Sequence, residues 1–127
     1  MEQGIMSLQQ REEVRLDTDR LEILYRQLGE SGAENVVCRA LEEIAARLAQ
    51  AERDYRAAQF AQMRKNCRSL IAMADQVGMS LLARVAGDVT ASIDAGDGIA
   101  LAATFARLLR IADRSLCEIW DVAGSPM

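Results

Sequence analysis

Histidine is missing altogether from this 127-residue chain. That removes the commonest general base, the commonest zinc ligand besides cysteine, and all phosphohistidine chemistry. Aromatic residues are scarce (one Trp, two Tyr, two Phe), and there is a single proline. No apolar run approaches the roughly 18 residues of a membrane span. The start MEQGIMSLQQREE has neither the basic region nor the apolar region of a secretory signal, so a cytoplasmic location is expected and no membrane association. Positive charge is not in excess: 15 Lys and Arg against 19 Asp and Glu leave a net charge of −4, which offers no footprint for nucleic acid. The three cysteines, Cys38, Cys67 and Cys117, are odd in number and in no CxxC spacing, which argues against a disulfide framework or a zinc site. All three fall in or beside apolar stripes and are expected as buried, reduced thiols.

What is present is helix-forming. Half the residues are apolar, and their spacing follows a period of 3.6 with no strand-period segment, internal repeat or low-complexity tract. Residues 1–16 read as a tail or short helix. A first helix is expected from about Asp17 to Leu28, with Leu21, Leu24, Tyr25 and Leu28 on one face, an Asp19/Glu22 capping box, and Gly29 ending it. Ser31 and Glu34 form a second capping box opening a helix over about 32–51, whose inward face is Val37, Ala40, Leu41, Ile44, Ala45 and Leu48. The next break contains no Pro or Gly and is placed near Arg53 to Tyr55. A helix over about 79–95 turns Leu82, Val85, Ala86, Val89 and Ile93 inward. Asp94-Ala-Gly-Asp-Gly is a turn, and Asp97 caps a last helix over about 99–120 with a stripe of Leu101, Ala102, Phe105, Leu108, Leu109, Ala112, Leu116, Ile119 and Trp120. Asp88, Asp94 and Asp97 lie close together but lack calcium-loop spacing and sit where caps and turns favour Asp, so no metal is expected. The expected architecture is all-α: an antiparallel up-down four-helix bundle over 17–121 with an additional short N-terminal helix, followed by a tail at 122–127.

The stretch Gln59 to Val77 carries two stripes. Phe60, Met63, Cys67, Leu70, Ile71, Ala74 and Val77 make a core face. Ala61, Arg64, Lys65, Arg68, Ala72 and Asp75 project together onto a neighbouring flank. From Tyr55 to Ala74 there are four basic residues and no acidic one, in a chain that is acidic as a whole. The flank either binds something acidic or is simply solvated, with arginine stems covering apolar edges.

The segment Arg68-Ser-Leu70-Ile71-Ala72-Met-Ala74-Asp-Gln-Val77-Gly78, followed by Leu82, Val85, Ala86, Val89 and then Gly96-Asp97, resembles the histidine-containing phosphotransfer (Hpt) domains of bacterial phosphorelays. The resemblance covers about 17–120 and implies the bundle described above. It departs at the chemistry. Arg68 stands where the family has its phospho-accepting histidine, Ile71 replaces a basic residue, and Ala72 replaces a glycine. A guanidinium stays protonated and has no lone pair with which to take a phosphoryl group. Neither Asn66 nor Ser69 substitutes without an activating base. The expectation is therefore a degenerate, non-catalytic Hpt-like module without cofactor. It would use Arg64, Lys65, Arg68, Ala72 and Asp75 to dock an acidic protein partner, such as a receiver domain or a histidine kinase. The alternative is a structural bundle that associates with itself as a homodimer.

Overall fold

The computed structural model describes residues 17–122, for Thr18 and 118–122 by backbone alone. The chain is all-helical, with four helices and no strand among the described residues: α1 (Thr18–Arg56), α2 (Phe60–Gln76), α3 (Ser80–Ala95) and α4 (Gly98–Val122). They form a helical bundle in which α1 packs on α2, α2 on α3 and α3 on α4. The expected N-terminal segment 1–16, the side chains of Ile119 and Trp120, and the tail after residue 122 lie outside these residues. No helix among them is long and apolar enough to cross a membrane.

α1 joins what the sequence presents as two helices. They meet across a kink at Gly29, which is non-helical with φ 77° and ψ 171°, at the position where the sequence ends the first helix. The N-cap is Asp17, whose carboxylate accepts from the Arg20 N–H at 3.3 Å, in place of the expected Asp19/Glu22 box. The second break falls at 57–59, four residues beyond the expected place. There Asp54 is still helical, and the Gln59 N–H donates to its carbonyl at 2.8 Å.

The α1–α2 and α2–α3 turns share one geometry. In each, a residue with positive φ (Ala58 at 56°, Gly78 at 80°) follows the helix, and the next N–H reaches back five residues: Gln59 to Asp54 and Met79 to Ala74. This Schellman-type closure satisfies terminal carbonyls that have no partner within the helix. The difference between the two turns lies in what approaches them. The Asp17 N–H donates to the Gly78 carbonyl at 2.7 Å, and Arg20 Nε donates to the Asp75 carbonyl at 3.3 Å, so the first turn of α1 lands on the α2–α3 turn. A Cβ on Gly78 would stand 2.6 Å from the Asp17 carbonyl oxygen.

The core is the predicted stripes brought together. Leu21, Val37, Ile44, Leu48, Met63, Cys67, Leu70, Ala74, Val77, Leu82, Val85, Val89, Leu101, Phe105, Leu108 and Ala112 are all buried. Met63 and Met79 fill it, as expected for Met at helical spacing. Several positions differ. Ala45 and Ala102, expected inside, are exposed; Phe60 is 40% exposed; Ile111, which the stripe omitted, is buried. Of the three cysteines only Cys67 is buried, while Cys38 and Cys117 are exposed. Both sit at the edge of their helical stripes, on a seam between α1 and α4 that is not closely packed.

Gly78→Ala forces both a left-handed alanine and a clash with backbone. Its urea-unfolding midpoint is expected to drop by the equivalent of at least about 2 kcal/mol. Ala58→Gly relieves a left-handed alanine and is expected to change stability by no more than about 1 kcal/mol, toward greater stability.

Candidate functional site

α2 is rotated by a buried polar network as much as by its apolar stripe. Asp54 and Asn66 are each only 6% exposed. Asn66 Nδ2 donates to Asp54 Oδ2 at 2.8 Å, and Gln50 Nε2 donates to Asp54 Oδ1 at 3.0 Å. Arg47 Nη1 donates to Asn66 Oδ1 at 3.3 Å, and Arg53 Nη2 donates to Gln50 Oε1 at 2.7 Å. Both Asp54 oxygens are thereby satisfied, which a buried carboxylate requires. The sequence reading missed this network because Asp54 was assigned to the break between helices. A signal was available for Asn66: it sits three residues after Met63 and four before Leu70, on the core stripe. Ser92 and Ser115 follow the same rule, three residues after Val89 and Ala112, and both are buried.

With Asn66 turned inward, residues two positions away point outward, about 200° around the helix. Lys65, Arg68, Ala72 and Asp75 are exposed and Arg64 is half-buried, so the predicted flank exists as one surface on α2. Its members are not equivalent. Arg64 is committed to α3: Nε and Nη2 donate to the two oxygens of Asp94 at 2.7 and 3.0 Å, a bidentate pair that links the helices. These hydrogen bonds hold the Asp94 carboxyl below its ordinary range, with further help from the charges of Arg64 and Arg68. They push the Arg64 guanidinium up correspondingly. Asp75 presents its carboxylate at the far end of the flank, where its backbone carbonyl receives Arg20. Arg56, also in the basic stretch, pairs with Glu52 at 2.9 Å. Among the described residues Arg68 and Lys65 have no hydrogen-bond or ion-pair partner, and Arg68 acts on Asp94 only through its field.

The three aspartates near the α3–α4 turn are separately occupied. Asp94 holds Arg64, Asp88 faces Arg107 Nη1 at 3.5 Å, and Asp97 caps α4 by accepting from the Ala100 N–H at 3.0 Å. No group of three metal-binding side chains forms among the described residues. Burial pushes the Cys67 thiol up to about 12, with a smaller contribution from the charge of Asp54. At neutral pH it is therefore a neutral, unreactive thiol.

Comparison with protein-family models, with curated proteins and with solved structures gives no match for this chain.

Two outcomes are expected in solution. Ellman titration of the native protein at pH 8 should register the two exposed thiols quickly and Cys67 only on unfolding. An NMR titration should place the Asp94 carboxyl below the ordinary Asp value. Its ion pair is thus intact above that range and lost as pH falls through the lowered value, and Arg64→Ala should return the carboxyl upward.

Proposed function

We propose that this chain is a non-catalytic helical docking module, Hpt-like in its antiparallel up-down arrangement. It presents Arg68, with Lys65 beside it, to an acidic site on a signalling partner such as a receiver domain. The observation that supports the reading most is the division of labour between two arginines one helical turn apart. Arg64 is neutralised by Asp94, whereas Arg68 stands exposed with no hydrogen-bond or ion-pair partner among the described residues, and the small exposed Ala72 a turn further on leaves its guanidinium accessible. A planar guanidinium fork suits a cluster of carboxylates, where it would take the place of a metal ion instead of accepting a phosphoryl group. Arg64 and Asp75 take a lesser part than the sequence implied, Arg64 as a strut and Asp75 as a border. The reading rests on α2 and on the order of the helices.

Isothermal titration against receiver domains from the source organism tests it. Wild type is expected to bind and Arg68→Glu to lose binding by about a hundredfold or more, with magnesium competing. No binding to any receiver domain, or equal binding by Arg68→Glu, would reject the proposal.

A second reading is favoured by the end of the bundle that holds the α1–α2 and α3–α4 turns. Ile99 is 86% exposed and Phe60 40%, and Phe60 lines a small cavity of about 120 Å³ with Ile93 and Leu101. In this reading the bundle self-associates through that end. Sedimentation equilibrium should then show a dimer that Ile99→Glu dissociates and Arg68→Glu does not.

A further inference from the structure

Among the described residues, α1 and α4 leave an open seam between them. α4 meets α1 where the Tyr55 and Phe105 rings approach, with centroids 5.2 Å apart. Toward the other end of α4 the two helices leave a groove of about 510 Å³ between them. Its apolar lining comes from Leu41 and Ala45 on α1 and Leu116 on α4, positions that the helical period assigns to the core. Leu41 and Leu116 are packed against the core yet only partly buried, and Ala45 is exposed. Among the described residues, the charged ones lining the groove are Glu42 and Asp113, one on each wall, both exposed and both negative. Glu30 and Glu34 extend this field toward Tyr25. Its phenol is pushed above its ordinary value first by burial and then by these two carboxylates and Cys38, which itself lines the groove.

We propose that the α1–α4 groove docks an amphipathic helix of a partner protein that carries Lys or Arg along the edge of its apolar face. The length fits: Cys38 to Ala45 spans two turns of α1, the distance over which an incoming helix places its i, i+3/i+4 and i+7 anchors. The volume falls in the roughly 300–1,000 Å³ range of binding clefts. The chemistry fits as well, because an apolar face would complete the cover of the half-buried Leu41 and Leu116 and the exposed Ala45 while Glu42 and Asp113 meet basic residues on either side. An acidic helix would meet like charge on both walls. This surface shares no residue with the α2 flank, so the inference stands independently of the receiver-docking reading.

The groove carries its own reporters, since Cys38 and Cys117 line opposite walls and are exposed, while Cys67 is buried and serves as an internal control. The test uses the full chain with a fluorescein-labelled Leu/Lys amphipathic peptide and its Leu/Glu counterpart of equal length. Binding is followed by anisotropy, and alkylation of each thiol by mass spectrometry. The Leu/Lys peptide is expected to bind saturably and, at ten times its Kd, to slow alkylation of Cys38 and Cys117 by about tenfold. The Leu/Glu peptide should do neither. The double variant Glu42→Lys/Asp113→Lys, with its melting temperature checked by circular dichroism, should reverse the preference between the peptides. Leu/Lys binding that leaves both thiols reactive would overturn the proposal, as would a double variant with unchanged preference. Slowed alkylation on raising the protein's own concentration without peptide would also overturn it, by assigning the groove to a second copy of the chain.

Discussion

The hydrogen bond from Asn66 to the buried Asp54 carboxylate decides how α2 sits in this protein. A carboxylate at 6% exposure is tolerable only with both oxygens satisfied, and the donors come from α1 (Gln50) and α2 (Asn66). Apolar packing alone would accept a range of rotations of α2 about its axis, because Met63, Cys67, Leu70 and Ala74 are similar in what they need. The amide is less forgiving: turning it away leaves one oxygen of a buried carboxylate without its donor. Fixing Asn66 inward fixes Arg68 outward, so the surface is specified from within the core.

That rotation also places Arg64 against Asp94. The pair is exposed and adds little stability on its own. Its consequence is electrostatic: it cancels one positive charge of the flank and leaves Arg68 and Lys65 as its free cations. On the α1–α4 side the groove is lined by carboxylates of the opposite sign. A small bundle of net charge −4 thus carries two faces with distinct chemistry, one presenting a guanidinium and one an apolar trench with acidic walls.

The helices were legible because apolar spacing reports burial directly, and the Asp97 cap and the glycines 29, 78 and 96 mark real departures from helix. Three features were not. The α1–α2 turn hides behind an alanine in a left-handed conformation, which no residue preference announces. The exposure of Cys38, Ala45 and Cys117 depends on how far α4 stands from α1, a tertiary distance that periodicity does not encode. Within the flank, the sequence grouped Arg64 with Arg68, since a partner thirty residues away on α3 is invisible to a helical projection.

The account turns on Arg64 being bound and Arg68 being free, and NMR of the arginine side chains reads that difference directly. The Arg64 Nε–H is expected to exchange slowly with solvent and its guanidinium to rotate slowly about the Nε–Cζ bond. Arg68 should show rapid exchange and averaged signals, and Asp94→Asn should make Arg64 resemble it. A slowly exchanging, rotationally hindered Arg68 in the wild-type protein would mean that it already has a partner within the chain, and would contradict the account.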